Sequence, residues 1–250
     1  MLNSVGLENY KCFKNSTSLE IAPLTVLCGI NSSGKSSLIK SILMLKQTAS
    51  SRMQDPAVVL SGDYVDCGTF ADVVNDSDKT RKEFILSNSF RIHNHKIETI
   101  GKYIKKQDAK VFNELRRIYT NIAGEIKYFE FDLKLVVKEL EDNINEFAKY
   151  MNNNFIQSYR IDISAVNTKE EKIKECMGFI HFENNEDDEK HKLSWNNIPG
   201  FSKARRSFQD FKCTCTFNGL ALTNIFAYDM PNDVKSVVPN ILAISRIIAT

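Results

Sequence analysis

Gly29 and Gly34 bracket four residues and are followed at once by Lys35 and Ser36. The run Gly29-Ile30-Asn31-Ser32-Ser33-Gly34-Lys35-Ser36 therefore fits G-x-x-x-x-G-K-[ST]. This spacing suits one task, the holding of a polyphosphate. Glycines let the backbone curl until its N–H groups point inward at phosphate oxygens. The helix expected to begin near Gly34 adds the positive end of its dipole. Lys35 supplies a point charge for the β- and γ-phosphates, and the Ser36 hydroxyl a ligand for Mg²⁺. Gly29 to Ser37 is thus the predicted site for ATP with Mg²⁺, and Ser36 the predicted metal contact.

Such a loop works only between a strand and a helix. Upstream, "SLEIAPLTVLCG" alternates at Leu19 and Ile21 and then runs apolar from Leu24 to Cys28. That pattern predicts a half-exposed strand and then one buried on both faces. Downstream, Leu38, Ile39, Ile42, Leu43 and Leu45 fall on one helical stripe. Further on, "EFILSNSFRIH", "YFEFDLKLV" and "YRIDISAV" alternate with period two and predict antiparallel strands. Two helical stripes lie between them, Val111 to Ile122 with Gly124 as a stop, and Leu140 to Met151. Residues 183–192 read as a polar loop, and the tail from Asn232 as a helix with Pro239 near a break.

The chain has 250 residues, 42% hydrophobic and 26% charged, with a formal net charge of +2. That length and balance predict a globular domain with an ample core and give no electrostatic case for a nucleic-acid partner. The start "MLNSVGLENYKC" has no secretory pattern, and no window reaches the ~18 apolar residues of a membrane helix. A cytoplasmic protein without membrane contact is the expectation. The six cysteines, Cys12, Cys28, Cys67, Cys176, Cys213 and Cys215, show no framework spacing and read as free thiols.

Asn31 and Ser33 give the loop the form G-x-N-x-S-G-K-S, which resembles the ABC-class ATPases, especially the SMC/RecF/OLD-like heads. The approach "LENYKCF" and then "LEIAPLTVLCG" is similar to that family's opening. "VVLSGDYVDCGTFADVV" (Val58 to Val74) resembles a bacterial branch of AAA-family ATPases found in antiphage defence, the PtuA-type subunits among them. The likeness is detailed over residues 1–75 and only general beyond. It implies an α/β fold: the N-terminal lobe of an ABC-type head over residues 1–250, with a mixed or antiparallel sheet and a helical insertion at about 102–155. It implies a head-to-head dimer or higher oligomer around ATP that switches a separate effector subunit, a nuclease. It also places Asn9, Tyr10 and Lys11 near the nucleotide. For Lys11, contact with a phosphate and a solvated strand end are equally good readings.

The family's remaining machinery is harder to find. "LSGD" (Leu60 to Asp63) imitates a signature motif but comes too soon after the loop. "IFAYDM" (Ile225 to Met230) imitates the magnesium strand, but Met230 stands where the catalytic glutamate belongs. No catalytic residue is assigned, and the hydrolytic groups are expected outside these 250 residues. His93 with His95 reads as a solvated pair rather than a metal site, and Cys213 with Cys215 as core. Lys203, Arg205 and Arg206 read as solvated surface, with contact to nucleic-acid phosphates as the alternative. Gln47 lies too many turns from the phosphates to sense them. Two rival functions stay open: a P-loop kinase transferring the γ-phosphate, and an assembly module that ATP merely stabilises.

Overall fold

The computed structural model describes residues 2–54, 56–75, 77, 80–93, 113, 117, 126–140, 154–173, 177–184, 191–196, 208–228 and 230–249. Among the described residues, nine strands are β1 (Leu2–Glu8), β2 (Thr17–Glu20), β3 (Glu83–His93), β4 (Ile126–Glu139), β5 (Asn154–Asn167), β6 (Gly178–Glu183), β7 (His191–Asn196), β8 (Phe208–Asn218) and β9 (Ala221–Phe226). The helices described end to end are α1 (Lys35–Ser50), α2 (Phe70–Val73) and α3 (Asn232–Ala249). The strands form one sheet in the order β2-β1-β3-β4-β5-β6-β7-β8-β9. Every pairing is antiparallel.

Period-two alternation sets the register. Leu86 faces Leu135, which faces Tyr159, and Phe131 faces Ile163. These side chains share one face, where a slip of one residue would exchange the whole apolar set for charged neighbours. α1, α2, α3 and the chain from Ala57 to Val74 cover that face. Met44, Val58, Phe70, Phe84, Tyr159 and Ile241 belong to a single buried cluster. The other face carries charge. Arg91 pairs with Glu130 at 3.0 Å, and Lys172 reaches the same carboxylate at 2.7 Å.

Residues 56–67 have almost no regular structure, yet Val58, Leu60 and Cys67 are buried. Their backbone groups are satisfied by side chains, as buried peptide groups must be. Asn154 accepts from Val58 N–H at 2.8 Å and donates to its carbonyl at 3.0 Å. Gln47 donates to the Val59 carbonyl and accepts from Val65 N–H, while Thr48 Oγ1 accepts from Val59 N–H. Gln47 is therefore a buried strut between α1 and this segment, in keeping with its distance from the phosphate site.

Three expectations change. Leu24–Cys28 is not a strand of the described sheet. Ile21 N–H still bonds to Asn3, but Pro23 has no N–H for a ladder, and the chain leaves the edge there. Leu24 is 84% and Val26 73% exposed, while Leu27 leans on the core. Second, β4 occupies part of the 102–155 span assigned to a helical insertion. Asn113 and Arg117 are helical; the rest of both stripes lies outside the described residues, Leu140 apart. Third, Pro239 sits inside a continuous α3, where the helix forgoes one bond to the Lys235 carbonyl rather than breaking. Among the described residues, no helix is long and apolar enough to cross a membrane.

Candidate phosphate-binding site

The loop has the backbone its glycines predict. Gly29 has φ 148°, Ser32 64° and Gly34 94°. Gly34 is the N-cap of α1. It offers no side-chain cap, and no acidic residue occupies the first turn. The first amides of a 16-residue helix therefore face the loop without an internal anion. Lys35 Nζ folds back over the loop and donates to the Gly29 and Ile30 carbonyls at 2.8 and 2.6 Å and to Ser33 Oγ at 3.3 Å. Ile30, Asn31, Ser32, Ser33 and Ser36 are exposed, and Ser37 is half-buried. The donor set suits a magnesium-bound polyphosphate: inward amides, a cation tied only to carbonyls and a hydroxyl, and the accessible Ser36 hydroxyl.

Behind the loop lies a wedge in the segment that the resemblance places near the nucleotide; its close contact with Gly34 is what sequence reasoning missed. Tyr10 and Phe13 exchange backbone hydrogen bonds at 3.0 and 2.8 Å to close a tight turn. Asn9 and Lys11 take left-handed φ values of 52° and 48°. The turn presses on Gly34, where a Cβ would stand 2.7 Å from both Cys12 Sγ and Phe13 Cζ. Gly34 thus serves both the left-handed backbone and the close approach. Asn9, a residue type that tolerates left-handed backbone, was the available signal.

Lys11 is in this turn, but its ammonium is engaged elsewhere. Nζ donates to the Cys67 carbonyl at 3.3 Å and the Asp72 carbonyl at 3.1 Å, and its N–H to Val73 at 2.6 Å. Asn75 donates to the Lys11 carbonyl. Lys11 thus ties the wedge to the segment after the loop. Asp72 closes a capping box with Thr69, whose hydroxyl and amide hold the Asp72 carboxyl below the usual range. Lys11, Cys12, Asp72 and Asn75 border a cleft of about 650 Å³. Tyr10 is fully buried with its hydroxyl 3.9 Å from Cys67 Sγ, and burial pushes both groups up in pKa.

The imitators of other motifs fall away from the loop. "LSGD" forms a turn closed by Gly62 N–H on Val65 and is held by Gln47, in the last turns of α1. β9 ends at Phe226, on the sheet edge opposite β2, and Tyr228 beyond it is 94% exposed. Asp229 lies outside the described residues, as do His95, Lys203, Arg205 and Arg206. His93 packs against Tyr128 with ring centroids 5.5 Å apart and the planes tilted by 59°. Among the described residues, no three His, Cys, Asp or Glu groups are placed to hold a metal ion.

A family model described as an AAA ATPase domain matches residues 1–218. No curated protein matches the chain, and no solved structure does. With the match running from the strand before the loop through β8, the chain belongs to the AAA ATPase domain family.

Proposed function

We propose that this chain is the ATP-binding part of an SMC/RecF/OLD-like ABC-class head. Its nucleotide state switches a separate effector, a nuclease of antiphage defence, in the cytoplasm. The observation that carries the nucleotide reading is the loop itself. Lys35 rests on Gly29 and Ile30 carbonyls beside an uncapped helix N-terminus. When phosphate arrives, Lys35 exchanges those carbonyls for anionic oxygens and the loop amides close around them. Bound magnesium, held through Ser36, would neutralise charge on the β- and γ-oxygens. The cleft beside Lys11 and Asn75 adjoins the loop through Cys12 and Gly34 and suits the nucleoside end.

The defence role and the effector rest on the likeness of Val58–Val74 to the bacterial antiphage branch, and the ABC-class head on that of the loop's Asn31 and Ser33. The hydrolytic carboxylate is assigned to residues outside this chain, because the LSGD turn is held near Gln47 in the last turns of α1 and Met230 stands where the catalytic glutamate belongs.

Titration with a fluorescent ATP analogue tests the nucleotide reading. Lys35→Ala should weaken binding by roughly tenfold to a hundredfold, the value of a charge-assisted contact of about 1.5–3 kcal/mol. Equal affinity in both proteins would overturn it. Native mass spectrometry of the protein co-expressed with its genomic neighbours tests the partner reading. A dimer or higher oligomer carrying an effector subunit is expected, and a lone monomer in every nucleotide state would refute it.

A further inference from the structure

The cleft beside the phosphate loop has a definite hydrogen-bonding character. Its volume of about 650 Å³ falls within the ~300–1,000 Å³ of small-ligand pockets. Asp72, on its border, is fixed by its neighbours. Oδ2 accepts from the Thr69 amide and the Thr69 hydroxyl, both at 2.7 Å. At Gly68, which has φ 85°, a Cβ would stand 2.5 Å from Oδ2, so glycine leaves the carboxylate its place. A carboxylate oxygen has about two lone-pair sites, and Thr69 fills both on Oδ2. No hydrogen bond uses Oδ1. The two Thr69 bonds hold the carboxyl below the usual range, so at neutral pH it is ionised and only accepts.

Two donors on the same cleft keep a hydrogen each. Lys11 Nζ has three and uses two, on the Cys67 carbonyl at 3.3 Å and the Asp72 carbonyl at 3.1 Å. Asn75 Nδ2 has two and uses one, on the Lys11 carbonyl. The Asn75 Oδ1 is occupied by the Ser77 N–H at 3.0 Å and by the Ser77 hydroxyl. Val74 supplies an apolar wall. The cleft therefore offers one ionised acceptor with donors around it. It reaches the phosphate loop through Cys12, whose Sγ lies 2.7 Å from where a Gly34 Cβ would stand.

We propose that Asp72 selects the base of the nucleotide: its open oxygen accepts an amino hydrogen from C6 of adenine. The spare Asn75 and Lys11 hydrogens serve the ring nitrogens on either side. The proposal rests on the nucleotide-binding reading, with the nucleoside end in this cleft. Adenine presents a donor, N6–H, flanked by the acceptors N1 and N7. That pattern complements an acceptor flanked by donors. Hypoxanthine and guanine present O6 at the same place, and an oxygen facing a carboxylate leaves both without a hydrogen. Guanine has a second way to meet a carboxylate, through N1–H and N2–H on its two oxygens. Here Thr69 already fills Oδ2, so that clamp keeps one arm.

Competition against a ribose-labelled fluorescent ATP analogue, whose base is unaltered, tests this on the whole chain. Inosine triphosphate carries O6 and an N1 proton where ATP carries the amino group and a bare N1. ATP should displace the analogue at a concentration roughly tenfold lower than inosine triphosphate, and GTP should also compete more weakly than ATP. Asp72→Asn keeps a side-chain oxygen for Thr69 and puts an NH₂ where the open oxygen stood. It should bring inosine triphosphate level with ATP or ahead of it, which loss of the cap alone does not do. Equal displacement by ATP and inosine triphosphate in the unaltered protein overturns the proposal, and that comparison needs no variant. So does an Asp72→Asn protein that binds with the preference unchanged. If the unaltered protein binds no analogue, the nucleotide reading falls and base selection with it. If it binds the analogue and gives it up equally to both triphosphates, base selection alone falls.

Discussion

Gly34 is where the phosphate loop, the helix and the wedge meet. It is the N-cap of α1, has φ 94°, and lies against Cys12 and Phe13. A side chain there faces two costs. Left-handed backbone costs an L-residue roughly 1–2 kcal/mol. The Cβ would also stand 2.7 Å from two heavy atoms that are fixed by the Tyr10–Phe13 turn. Gly34→Ala should therefore lower affinity for an ATP analogue by at least about tenfold, since ~1.4 kcal/mol already corresponds to tenfold. Calorimetric titration would show this, and wild-type affinity would mean that the turn yields. Lys11 shows what residue-level reading cannot reach. Its position near the loop was legible, but its partners Cys67 and Asp72 come from a segment whose path depends on remote side chains.

Between elements, the legible features were those with a repeating physical cause. β3, β4 and β5 alternate because one face is buried, and their antiparallel register follows from that pattern. Residues 56–67 were not legible, because their burial depends on Asn154, nearly a hundred positions away, and on Gln47 and Thr48. The Glu130 cluster joins three elements in the same way. Burial alone would push the Glu130 carboxyl up, but Lys172 and Arg91 outweigh it and hold it below the ordinary range. A depressed acid contributes stability that is fully present above its unfolded value, about 4.3, and lost as pH falls through the lower folded value. Glu130→Gln should accordingly lower the denaturation midpoint at neutral pH and flatten its decline below about pH 4.3. Parallel acid profiles for the two proteins, by urea denaturation, would show that the cluster is not formed.

Across the whole molecule, the apolar run Leu24–Cys28 has the composition of a strand covered on both faces, yet Leu24 and Val26 are among its most exposed apolar residues. α1 repeats the theme. Leu38, Met44 and Leu45 are buried against the sheet, while Ile39 is 49% exposed and Ile42 and Leu43 are only half-buried. A helix that is apolar on both sides is built to be covered on both. The reading that follows, within the proposed ABC-class head, is that the layer bearing the hydrolytic carboxylate docks on this exposed apolar segment and this helix face. Burying a single valine fully contributes roughly 1.5–3 kcal/mol, so one charge on the surface is enough to disturb such docking. Val26→Lys separates the two levels. Because Val26 is 73% exposed here, its replacement should leave the folding stability of residues 1–250 within about 0.5 kcal/mol. In the assembled ATPase with its effector, the same change should abolish phosphate release while analogue binding persists. Undiminished turnover would place the hydrolytic layer elsewhere and leave the exposed Leu24–Cys28 segment without a role in the reaction.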